Sequence, residues 1–251
     1  MIFRWLRSRK RRQILSRPFP EEWRRVLERV PFYETLDEEE RAALREIVQV
    51  FVEEKNWLGG RGFVVTPEMK VSIAAQAGHL ILSRPHDFYS NVETIVVHPG
   101  SYGGGPRHHD GLVGESPEVL GEAWLRGPVV LAWNHVKRGA RREKDGRNVV
   151  YHEFAHKLDM QDGVVDGTPT VERANRERWY QTMTRELEQL VDAKEKGRAT
   201  LLDKYGTTNP AEFFAVATEC FFERARALRE RHPELYRVLA DFYRQDPAER
   251  Y

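Results

Sequence analysis

The sequence predicts an α+β fold: a small sheet set against helices, with two apolar helices crossing in the core. Two observations carry this. Two short β-branched runs, Thr94-Ile95-Val96-Val97 and Gly127 to Val136, lie mid-chain, and helical periodicity flanks them on both sides. Two of the helical segments, around His152 and from Pro210 onward, are also apolar almost all round, so each needs a neighbour to cover it.

The first twelve residues hold six cations with Phe3, Trp5 and Leu6 among them. Residues 1–20 are expected as a basic, flexible tail, and no continuous apolar core follows that would make a signal peptide. Glu21 to Val30 is a short amphipathic stretch behind Pro18 and Pro20. Asp37 is placed as an N-cap with Glu40 at the capping-box position, opening a helix to Glu54 whose stripe is Leu44, Ile47, Val48 and Phe51. Thr66-Pro67 caps a third helix running to about Ile81. Residues 21–90 thus form a helical N-terminal part. Thr94 to Val97 reads as a strand and Ser101 to Gly105 as a glycine-rich loop. Gly127 to Val136 is the best strand candidate, followed by a charged turn from Lys137 to Arg147. Helices are then expected over Val149–Met160, Val171–Lys196, Pro210–Leu228 and Pro233–Tyr243.

Composition narrows the function. Forty basic against 39 acidic side chains leave no net field to gather nucleic acid or an anionic membrane, and no stretch approaches the roughly 20 apolar residues of a spanning helix. Neither direct nucleic-acid binding nor stable membrane association is expected. A single cysteine, Cys220, excludes an intramolecular disulfide and fits a reducing cytoplasm; inside an apolar helix it reads as a packing residue.

Within Val149 to Asp159 stands His152-Glu153-Phe154-Ala155-His156. Residues four apart lie one above the other on a helix, so both imidazoles can reach one ion while Glu153 projects beside them. Zinc in such a site acidifies a bound water, and a carboxylate within reach takes the proton as the water attacks a peptide carbonyl. Two imidazoles are too few for catalytic zinc, and residues 160–166 offer no third histidine, so a carboxylate is expected. Glu172, Glu177, Glu186 and Glu188 alternate with arginines in the manner of a solvated face. Glu212 opens a nearly apolar helix after Asn209-Pro210, where burial calls for neutralisation; the competing reading is a first-turn glutamate that complements the helix dipole. Glu219, seven residues on, could orient a histidine. Tyr205 is either an oxyanion donor or a packing residue.

These blocks resemble the Mlc titration factor A family of bacterial zinc peptidases, whose catalytic region is similar to that of anthrax lethal factor. The resemblance rests on His152 to Asp159 with Asp162-Gly163, on Asn209-Pro210-Ala211-Glu212-Phe213-Phe214-Ala215-Val216, and on Gly121-Glu122-Ala123-Trp124 before Gly127-Pro128-Val129. It implies a zincin-like fold with a catalytic region over residues 91–251. It also implies one zinc held by His152, His156 and Glu212 in the gluzincin manner, Glu153 as base and Tyr205 as the active-site tyrosine. The Gly127 to Val136 strand would border the cleft and offer an exposed edge to an extended peptide. Aminopeptidase-type activity on small peptides is implied too, together with binding of a DNA-binding transcription repressor of the Mlc kind.

Two further readings stand beside the peptidase. In one, zinc only holds the fold and the chain is a regulatory module that sequesters a repressor. In the other, the basic tail and the 137–147 turn bind nucleic acid, although neither carries aromatics at a stacking spacing. His108, His109 and Asp110, after the glycine loop, could form a second metal site or a substrate-contacting lid, but a mobile loop is the favoured reading.

Overall fold

Local chemistry starts the helices where the sequence places them. The computed structural model describes residues 2–84, 86–103, 118–119, 121–123, 127–141 and 145–250. Helices α1 (Ile2–Leu15) and α2 (Glu21–Leu27) lead into α3 (Glu38–Glu54), where the Asp37 carboxylate accepts from the Glu40 N–H and the Glu40 side chain accepts from the Asp37 N–H. In α4 (Pro67–Leu80) the Thr66 hydroxyl accepts from the Met69 N–H, with proline in the first turn. Where a flexible tail is expected over residues 1–20, the structure has a helix. Its second half docks on α3: Arg11 forms a bidentate pair with Glu54, Gln49 donates to the Ile14 and Arg17 carbonyls, and Ile14 is buried.

Strands β1 (Asn56–Gly59) and β2 (Thr94–His98) pair in parallel, with α4 as the crossover between them. Two short strands follow, β3 (Tyr102–Gly103) and β4 (Glu118–Val119), which pair with each other, so part of the expected glycine loop is extended and paired. Strand β5 (Gly121–Ala123) runs antiparallel to β6 (Val129–Ala132), and the main sheet has the order β1-β2-β6-β5. Two expectations are corrected here. The Gly127 to Val136 run is a strand only to Ala132, because Trp133–Gly139 turns into a short helix, α5, that buries Val136. Strand β6 is also interior, paired on both sides, so among the described strands the edge beside it belongs to β5.

The C-terminal half is helical: α6 (Val149–Asp159), α7 (Arg176–Glu195), α8 (Pro210–Glu223), α9 (Ala225–Arg231) and α10 (Pro233–Tyr243). The expected helix from Pro210 to Leu228 is in fact two, broken at Arg224, whose backbone leaves the helical region. Helices α6 and α8 pack on each other, and their apolar faces join α3, α4 and the sheet in one core that includes Phe51, Phe154, Phe214 and Phe221. Burying such side chains supplies about 1.5–3 kcal/mol each. Among the described residues no helix is long and apolar enough to cross a membrane.

Candidate metal centre

Helix α6 carries His152, Glu153 and His156 because its start is fixed from several directions at once. The Asn148 carboxamide oxygen accepts from the Val150 and Tyr151 N–H groups, capping the helix. Its amide nitrogen donates to Gln76 of α4 at 3.0 Å, to Glu223 of α8 at 3.1 Å and to the Gly139 carbonyl at 3.3 Å. Gly139 has no room for a side chain, since a Cβ there would lie 2.7 Å from that nitrogen. The Asn148 N–H is held by Glu219 at 2.5 Å. Three other helices therefore set the position of one N-terminus.

On this scaffold His152 and His156 face Glu212, which stands in the first turn of α8 behind the Asn209 cap. His152 Nε2 lies 2.9 Å from Glu212 Oε2, His156 Nε2 lies 3.3 Å from the same oxygen, and the two Nε2 atoms are 3.3 Å apart. A tetrahedral ion with bonds of about 2.05 Å would separate its ligand atoms by about 3.3 Å. The three atoms thus stand at the corners of one face of such a tetrahedron, and the donor set of two imidazoles and a carboxylate suits zinc. Among the described residues this trio is the one cluster of histidine, cysteine or acidic side chains able to hold a metal ion.

The electrostatics of the ion-free protein point the same way. Burial lowers the His152 pKa, but the carboxylates of Glu219 and Glu212 outweigh it and hold the ring well above the usual histidine range. Burial raises Glu212, whereas hydrogen bonds from His152 and His156 bring it far below the usual carboxylate range. His152 Nδ1 donates to Glu219 Oε1 at 2.7 Å, which leaves Nε2 free to ligate. Among the described residues His156 Nδ1 and Asp159 Oδ1 are buried with no hydrogen-bond partner. The Asp159 carboxylate takes one hydrogen bond, from the Gly167 N–H, and burial raises its pKa to about 6. Gly167, at positive φ, passes so close to the start of α8 that a Cβ would lie 2.3 Å from the Pro210 carbonyl.

Glu153 is buried beside the trio, and Lys157, one turn along, is buried with it; burial lowers Lys157 to about 8, against the pull of Glu153. Lys157 Nζ donates to the Gly127 carbonyl at 3.2 Å, tying α6 to the chain entering β6. Tyr205 sits in a 3-10 turn with its ring centre 6.0 Å from that of His152, and it is 55% exposed. Cys220 is buried, and burial pushes its thiol up to about 12, as suits a packing residue.

Sequence reasoning missed Asn148, Gln76 and Lys157. Only Asn148 carried a local signal, an N-cap residue directly before an apolar run. It also misjudged Glu186, which is buried and accepts from His232 Nδ1 at 2.7 Å instead of lying on a solvated face. His98 and His135 lie apart from the trio, His98 against Gly60 and His135 bonded to the Ser101 hydroxyl. His108, His109 and Asp110 lie outside the described residues.

Comparison with known proteins agrees with this geometry. The family described as glucose-regulated metallo-peptidase M90 matches residues 4–244. An uncharacterized protein of Synechocystis sp. is 39% identical over 249 residues, covering 97% of this chain and 90% of that one. Mlc titration factor A of Serratia proteamaculans is 31% identical, covering 88% of this chain and 86% of its own length, and that of Pectobacterium atrosepticum is 31% identical, covering 92% and 88%.

Proposed function

Since the chain belongs to the glucose-regulated metallo-peptidase M90 family, we propose that it is a zinc-dependent peptidase of aminopeptidase type acting on short peptides in the cytoplasm. The observation that carries the reading is the convergence of His152, His156 and Glu212 at 2.9–3.3 Å, beside a buried Glu153. When bound, zinc supplies a Lewis acid that acidifies water and polarises a carbonyl. Glu153 takes the proton of the attacking water and passes it to the departing amine nitrogen as the C–N bond breaks. Tyr205 donates a hydrogen bond to the oxygen that gains charge. Glu219 holds His152 in the tautomer that presents Nε2. An extended peptide pairs with the edge of β5, which is the outer strand of the sheet among the described residues, so the backbone supplies affinity with little sequence choice.

The name of the relatives, Mlc titration factor A, favours a second reading, in which the surface also binds an Mlc-like repressor. The two are separable. Metal content by mass spectrometry and turnover of a peptide panel are measured on wild type, Glu153→Gln and Glu212→Ala. The peptidase reading expects zinc in the first two, none in the third, and a turnover loss of about 10²–10⁴-fold in Glu153→Gln. Zinc without hydrolysis in any form would leave the binding module; no metal in wild type would remove the site assignment.

A further inference from the structure

A second cavity lies away from the candidate metal centre and shares no residue with it. About 310 Å³ opens between α7, α10, the turn after α4 and the segment that follows α6, a size at the lower end of small-ligand pockets. Its walls are apolar where Trp179, Val238 and Phe242 face it, and cationic at Arg84.

Arg84 is the odd member. Its guanidinium lies 3.9 Å from the centre of the Phe242 ring, yet among the described residues it makes no hydrogen bond and no ion pair, although its Nη1 is fully buried. The side chain is half-buried, and burial lowers its pKa from the usual arginine range with no carboxylate beside it to offset the effect among the described residues. The Trp179 indole N–H, on a side chain 1% exposed, also has no acceptor. Both groups left without a partner in this wall are donors. Two cations and two carboxylates make up the other charges of the wall, Arg178 paired with Asp241 and Arg244 with Glu172. Those pairs are substantially exposed, so solvent and salt weaken their fields, and among the described residues of the wall Arg84 is the charge left without a partner.

We propose that this cavity binds a small organic monocarboxylate. One negative charge balances one unpaired guanidinium, whose planar fork matches a carboxylate. A phosphate dianion would need a second free cation, which the wall lacks. The aromatic and aliphatic walls favour an acid with an apolar or aromatic body over a bare ion. The ligand's carboxylate belongs either to a free acid or to the end of a peptide. The site does not depend on the peptidase reading.

The probe is benzoate, with benzamide as its neutral isostere and an acetylated tripeptide ending in Phe, as free acid and as amide, to separate the two sources. Thermal melts and calorimetric titration are run on wild type, Arg84→Gln, Arg84→Lys and the control Glu172→Gln. The proposal expects benzoate to raise the melting temperature saturably and benzamide not to. Arg84→Gln should abolish the effect, Arg84→Lys weaken it at least tenfold, and Glu172→Gln leave it intact. A tripeptide acid that outcompetes benzoate assigns the site to chain ends, and one that fails assigns it to free acids. Equal, unsaturable responses to benzoate and benzamide in wild type overturn the proposal without reference to any variant.

Discussion

Asp37 and Asn148 each cap a helix, but they solve different problems. Around Asp37, in the α1–α4 region, polar groups are satisfied by near neighbours or by plain ion pairs: Glu40 closes the capping box, Thr66 caps α4, Arg11 holds Glu54. Around Asn148, at the α6–α8 crossing, the polar groups are buried and partnered across 60 to 75 residues of sequence, and His156 Nδ1 and Asp159 Oδ1 remain without hydrogen-bond partners among the described residues. The first region is complete as protein. The second carries two imidazoles and a carboxylate at ligand spacing, so an ion bound there would add to its stability.

The sharpest way to break this contrast is to strip the metal. With free ion at about 1,000 times its dissociation constant, binding contributes about 4 kcal/mol. Chelation should therefore lower the melting temperature, and hydrogen exchange should show α6 and α8 losing protection while α3 keeps its own. Uniform loss, or none, would erase the distinction. Next comes Glu219→Gln, which weakens the hold on His152 and on the Asn148 N–H; metal affinity should fall about 10–100-fold, read by competition with a chromophoric chelator. Unchanged affinity would show that Glu219 serves the helix start alone.

Acid probes the boundary between the regions. His79 of α4 is stacked on Phe32 and shares a hydrogen bond with Tyr151 of α6; burial, then Arg250, holds its pKa well below the usual histidine value. The unfolded chain takes up that proton near 6.5 and the folded chain does not. The contribution is therefore fully present above about pH 6.5 and is lost as pH falls below it, by at most about 1.4 kcal/mol per pH unit. Melts across pH 5 to 8 should show a shallower acid loss for His79→Gln than for wild type. Parallel curves would assign the loss elsewhere. The smallest effect belongs to Asp37→Ala, about 1 kcal/mol by denaturant melt, with metal content and turnover per folded molecule unchanged.

What could be read from the sequence follows the same division. The starts of α3 and α4, strand β2 and helix α10 were legible because caps, proline positions and β-branched runs act within a few residues. The convergence of His152, His156 and Glu212 was legible because H-E-x-x-H spacing and an acid on an apolar helix are both local signals. Strand β1, with two exposed positions among its four residues, has no pattern long enough to see. The switch from β6 to α5 is hidden because a short apolar run looks alike as strand or helix. The burial of Glu186 depends on His232, 46 residues away, and the hub at Asn148 depends on three other helices. Such pairings exist only once the chain has folded.

The 60-residue gap between His152 and Glu212 also sets a clock. At about 5–20 residues per second, a ribosome needs about 3–12 s to add Glu212 after His152. For that interval the emerging polypeptide offers two imidazoles on a helix whose anchors in α8, Glu219 and Glu223, do not yet exist. A two-nitrogen site of this kind exchanges its ion readily and discriminates poorly among divalent metals. A metal held by all three side chains would therefore be chosen only after translation has passed α8, from the pool of ions available when the last ligand arrives.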